Sequence, residues 1–97
     1  MRLEWDEAKN RANIRKHGFD FADAEVMFRG VLLVSADTDE DYEESRWRAI
    51  GAIGERIAVV VFTERRAGTI RIISWRKADH EERKEYEKAI QDGLETH

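Results

Sequence analysis

Arg56–Thr63, RIAVVVFT, decides the fold of this 97-residue chain. Ile57–Phe62 is apolar at all six positions, so as a strand it has two apolar faces and needs cover on both. The run is too short for an ordinary helix, and far short of the roughly 20 residues of a membrane span. Its expected place is the centre of a sheet. On either side the β-branched pattern continues at Val31–Ser35, Arg46–Ile53 and Thr69–Arg76. Gly54–Glu55 and Arg66–Gly68 are tight connections, so the last three strands form an antiparallel meander.

The flanks of this β-region are helical. Asp6 is an N-cap for a helix that runs to about His17, and Gly18 can take the left-handed conformation that ends helices. Asp20 caps a short second helix, with Phe19 and Ala24 at hydrophobic-staple spacing and Phe21, Ala24 and Phe28 on one side. Asp79 and Glu82 form the capping box of a closing helix that carries Tyr86, Ile90 and Leu94 at i, i+4 and i+8. The predicted order is ααββββα, an α+β fold whose four-stranded, mainly antiparallel sheet is flanked by the first two helices. Without proline, repeats or a low-complexity linker, residues 1–97 read as a single domain.

The net charge of −4 conceals an uneven distribution. Asp37, Asp39, Glu40, Asp41, Glu43 and Glu44 put six acids within eight residues, and without them the chain carries +2. From Ser45 to Lys77, eight Arg and Lys face only Glu55 and Glu64. Such a local positive field suits a polyanion better than the whole-chain pI of about 5.4 suggests. The acidic run has no glycine-centred turn of the EF-hand kind and reads as a mobile, exposed loop rather than a metal site. Three histidines and no cysteine leave little for a metal centre or covalent catalysis, and no cofactor cradle is present. Absence of cysteine agrees with a reducing cytoplasm, and no apolar segment follows Met1, so a cytoplasmic protein without membrane attachment is expected.

Four phrases stand in order along the chain: LEWDEAKNRANIRKHG at Leu3–Gly18, EESRWRAIG at Glu43–Gly51, VVVFTER at Val59–Arg65, and TIRIISWRKADHEER at Thr69–Arg83. In this order and spacing they resemble the BrnT family, ribonuclease toxins of type II toxin–antitoxin pairs. The resemblance implies a RelE-like fold, an RNA substrate and arrest of translation. It also implies a cognate, DNA-binding antitoxin of the BrnA kind, through which the complex reaches operator DNA. Lys9, His17, Arg46, Arg71, Arg76 and Lys77 fall on positions that match the family's active-site material. Trp75 departs from the family's IIS-x-RK phrase, where a small residue is usual.

Metal-free RNA cleavage uses the RNA's own 2′-hydroxyl as nucleophile. The protein must remove that proton, stabilise charge on the phosphoryl oxygens and protonate the leaving oxygen. Arginine suits the second task, being permanently charged and bidentate toward phosphate. Strand alternation puts Arg46 and Arg48 on one face, and Arg71 and Lys77 on one face with Arg76 opposite. Each could equally be a solvated charge or pair with Glu64, Asp79 or Glu82. His17 can serve as acid or base near neutrality, although the dipole also favours histidine in the last turn of a helix. Glu64 could act as base or orient an arginine, and His80 and Tyr86 rank lower as acids. Arg65 and Arg48 are further candidates for RNA contact. Trp75 could stack a base or fill the core, whereas Trp5 and Trp47 read as core or interface residues. The rival reading is a non-catalytic module that docks a protein or nucleic acid on its basic sheet.

Overall fold

In the computed structural model, residues 1–37 and 45–95 are described; the acidic run at 38–44 and the Leu94 side chain lie outside them. The strand at the centre is β4, Arg56–Arg66, in a five-stranded sheet of order β1-β5-β4-β3-β2. Its neighbours are β5, Thr69–Lys77, and β3, Trp47–Ile53, both antiparallel to it. β2, Leu32–Ala36, forms one edge. The hairpin between β3 and β4 turns on Gly54, whose φ of 61° is open to glycine at little cost.

As its composition requires, β4 is covered on both faces. Ala58, Val60 and Phe62 belong to a core with Ala49, Ile72, Trp75, Phe19, Phe21, Ala24 and Met27. Val59 lies on the other face with Ile50, Ala78 and Tyr86, joined by Leu33, Ile57 and Ile90. α3, His80–Glu95, supplies that second cover. Its start is the expected capping box, Glu82 N–H donating to Asp79 at 2.8 Å and Asp79 N–H to Glu82 at 2.9 Å. The Tyr86 hydroxyl donates to the Val31 carbonyl at 2.9 Å, which removes it as an acid candidate on an open surface.

The order ααββββα needs one correction. Arg2–Glu4 forms a fifth strand, β1, parallel to β5 with Leu3 opposite Ile70, so the sheet is mixed. Three residues carry too little periodicity to announce a strand, and only the β5 edge supplies its partners. α1, Glu7–His17, has the expected ends: Asp6 accepts from Lys9 N–H at 3.0 Å, and Gly18, at φ 77°, donates to the Ile14 carbonyl. It does not bury an apolar stripe, however. Its buried residues are Asn10 and Asn13, while Ile14 is exposed.

Asn13 explains that arrangement. β1 pairs with β5 only as far as Arg71, which leaves the rest of that β5 edge without a strand. Asn13 accepts from Trp75 N–H at 3.1 Å and donates to the Trp75 carbonyl at 2.8 Å, so an amide side chain stands in for the missing strand. Asn13 also reaches the Phe19 carbonyl, and Asn10 bonds Phe21 N–H and Asp20. The second predicted helix begins as a 3₁₀ turn, Phe21–Asp23, with Asp20 accepting from Ala22 N–H, and continues as α2, Ala24–Phe28. This segment, rather than α1, covers the first face.

Candidate nucleic-acid interface

A bulge in β5 determines which side chains it offers. Arg76 stands opposite Val59 and Ser74 opposite Val61, but Ile72 is opposite Phe62 and Arg71 opposite Thr63. Ile73 is therefore an extra residue, and it reverses the alternation. Arg71 shares a face with Arg76, not with Lys77, which corrects the simple period-two reading. Lys77 lies opposite Ala58, on the side of the first core, and is exposed there.

On β3, Arg48 lies opposite Val61 and so belongs to the same face as Arg76. Arg46 precedes β3, and its carbonyl accepts from Asp37 N–H at 2.9 Å, so it continues the alternation to a place beside Thr63. Arg46, Arg48, Arg71 and Arg76 thus share one face. α3 covers only the end of it built from Ile50, Ile57 and Val59, and Val61 beyond is half-buried.

Glu82 organises two of these arginines. It accepts from Arg48 Nη1 at 2.6 Å and from Arg76 Nη1 and Nη2 at 2.8 and 2.9 Å, besides Asp79 N–H. The hydrogen bonds from Arg76, working against burial and helped by Asp79 N–H and both guanidinium charges, bring the Glu82 carboxyl down to about 2. The same hydrogen bonds raise Arg76. One carboxylate serving two guanidiniums leaves a positive excess. The Arg48 and Arg76 side chains remain 28% and 37% exposed, so each keeps an edge toward solvent.

Along the β5 edge, α1 provides a rim. Lys9, Ala12, Asn13, Lys16 and His17 line a cleft of about 230 Å³ with Ile73 and Ser74. Ser74 belongs to the arginine face by its register, so cleft and face join there. Burial, followed by the charges of Lys16 and Arg76, lowers the His17 imidazole below its ordinary value. His17 is accordingly neutral at pH 7 and able to accept a proton.

Several residues expected at the site lie elsewhere. Trp75 is wholly buried, its ring 4.7 Å from that of Phe19, so it fills the core and has no face for a base. Glu64 is opposite Ile70 on the first-core side, where it lines a separate cleft of about 320 Å³ with Val34, Trp47 and Phe62. That separation takes it away from the arginines. Trp47 is 39% exposed in that cleft, and Trp5 packs edge-on against Phe21 while donating to Glu7. Arg65 lies near Glu4 with Arg71. The sequence reading used Glu82 only as a cap and did not single out Lys16 or Ser74; no local pattern announces an arginine clamp across 34 residues. Among the described residues, no three histidine, aspartate or glutamate side chains gather as metal ligands, and no helix is long and apolar enough to cross a membrane.

Comparison with known proteins bears on this face. The family model described as the ribonuclease toxin BrnT of type II toxin–antitoxin systems matches residues 5–82. Among solved structures, the Brucella abortus ribonuclease toxin BrnT is similar with a TM-score of 0.60 and 35% identity, over 82% of this chain and 99% of that one. No curated protein sequence matches. The matched span holds α1, the arginine strands and the start of α3 with Glu82, so the chain belongs to the BrnT family of ribonuclease toxins of type II toxin–antitoxin systems.

Proposed function

We propose that this protein is a metal-independent endoribonuclease that cuts RNA by attack of the 2′-hydroxyl and thereby stops translation. The observation that carries the reading is the convergence of Arg46, Arg48, Arg71 and Arg76 on one partly open face, with neutral His17 at its edge. The guanidiniums bind the scissile phosphate and stabilise the charge that grows on its oxygens. Glu82 holds Arg48 and Arg76 in a fixed attitude, so little reorganisation is needed when that charge appears. His17, as the neutral imidazole, takes the proton of the 2′-hydroxyl. Lys9 and Lys16 add positive charge for the neighbouring backbone.

In this reading a cognate, BrnA-like antitoxin covers the arginine face and competes with RNA for it, and operator DNA is met only through the complex. The site of action is the cytoplasm. The test is incubation of the purified protein with RNA in EDTA. The expected products end in a 2′,3′-cyclic phosphate and a 5′-hydroxyl, because the nucleophile is internal to the RNA. Cleavage abolished by the chelator would refute the metal-free mechanism. Binding without any cleavage would leave a docking module instead.

A further inference from the structure

We infer that the arginines around Glu4, at the tip of the β4–β5 hairpin, form a second RNA phosphate subsite, remote from the scissile phosphate. The inference rests on the ribonuclease reading and adds the length of RNA that the protein engages. Glu4 stands opposite Arg71 in the β1–β5 pairing, on the arginine face, while Leu3 beside it packs into the first core. Three guanidiniums approach this one carboxylate: Arg71 at 3.0 Å, Arg66 at 3.8 Å and Arg65 at 4.0 Å.

Two features point to a ligand rather than to stability. Only one of the three charges is balanced by Glu4, so the cluster holds an excess of positive charge that folding alone does not require. Arg65 also occupies a bulge, since Glu64 pairs with Ile70 and Arg66 with Thr69. The extra residue turns it toward Glu4 and the other guanidiniums instead of leaving it in plain alternation. The side chains of Arg65 and Arg66 are 45% and 62% exposed, open enough to meet an anion. Asp6 is the nearest further acid that feels Arg71, and its carboxylate is engaged in capping α1.

Distance sets the chemistry of the ligand. From Val59, beside Arg76, to Thr63, beside Arg71, is four residues of β4, or about 13 Å at ~3.3 Å each. The hairpin arginines lie beyond Thr63 in the same direction. A stacked strand advances ~3.4 Å per nucleotide, so about four nucleotides separate the Arg76 end from this cluster. The ligand is therefore a single-stranded RNA segment, not a mononucleotide or a short cut product.

The test uses the intact protein and uncleavable 2′-O-methyl RNAs of three and ten nucleotides, with binding measured over a range of salt. Wild-type protein is expected to bind the ten-mer at least tenfold more tightly, and Arg65→Ala/Arg66→Ala to lose most of that advantage. Its log Kd–log salt slope for the ten-mer should fall by about 1.4, two single-strand phosphate contacts at about 0.7 each. Arg65→Lys/Arg66→Lys, which keeps both charges, should restore the slope. The inference is overturned if the alanine variant keeps the length advantage and slope while wild-type protein still cuts RNA. It is equally overturned if the variant loses affinity only for an antitoxin. Wild-type protein that neither binds nor cuts any RNA would instead remove the ribonuclease reading itself.

Discussion

Replacing Glu82 by Gln separates the two tasks of this side chain. Gln is also accepted at the third position of a capping box, so Asp79 N–H keeps an acceptor and α3 keeps its start. What disappears is the negative charge between Arg48 and Arg76. The fall of the carboxyl from its ordinary 4.5 to about 2 sets the scale. At about 1.4 kcal/mol per tenfold change in proton affinity, it corresponds to at most about 3 kcal/mol. Both arginines are partly exposed and rehydrate on release, so the expected loss is about 1–3 kcal/mol at pH 7. The sign with pH follows from a folded value below the unfolded one. The stabilisation is complete above about 4.5 and disappears as pH falls through about 2. Chemical unfolding of wild type and variant should therefore show a gap at pH 7 that closes toward pH 2. Cleavage should respond differently from binding. The freed charge holds RNA at least as well, so KM stays level or falls, whereas kcat drops about tenfold or more because the guanidiniums are no longer aimed. A gap of equal size at pH 7 and pH 2.5 would refute the ionic account. An unchanged kcat would refute the positioning role.

Arg46→Ala, Arg71→Ala and Arg76→Ala should each slow RNA cleavage by at least an order of magnitude, since a contact to the developing charge is worth about 2–4 kcal/mol. Arg71→Ala should cost under about 1 kcal/mol in thermal unfolding, because its pair with Glu4 is solvated; normal cleavage by all three variants would defeat the site assignment. For His17, whose pKa lies below 6.5, cleavage should stay level through pH 7 and decline on the acid side as the imidazole protonates. His17→Gln should remove that acid limb and cost about 10²-fold in rate; a limb that survives the substitution would place the base elsewhere.

The parts of the fold legible in the sequence are those that local chemistry dictates. A strand apolar on both faces must be central, an Asp–Glu pair three residues apart starts a helix, and Gly18 ends one. β1 was not legible because a three-residue strand exists only by virtue of the edge it meets. α1 was legible as a helix, but not as the element that caps β5. Its two buried asparagines look like surface residues until Trp75's backbone is placed beside Asn13. Composition correctly picked out the basic strands as site material. Facing was the harder property, because Ile73 in TIRIISWRK has no residue type that announces a bulge, and one unannounced residue moves Arg71 to the other side of the sheet.

That single residue links stability to function. Without the bulge, Arg71 and Arg76 would point to opposite faces, and one of them would fall against the core formed by Val60, Ile72 and Trp75, where an unpaired charge is expensive. With it, the apolar residues of β5 still reach the first core while both arginines gather on the other face. The crowding that results is only partly relieved, by Glu82 at one end and Glu4 at the other. Each carboxylate serves at least two guanidiniums, so the arrangement keeps its arginines ordered without cancelling their charge. A surface built only for folding would gain by losing some of these arginines, whereas one that waits for a polyanion is stabilised further when the anion arrives.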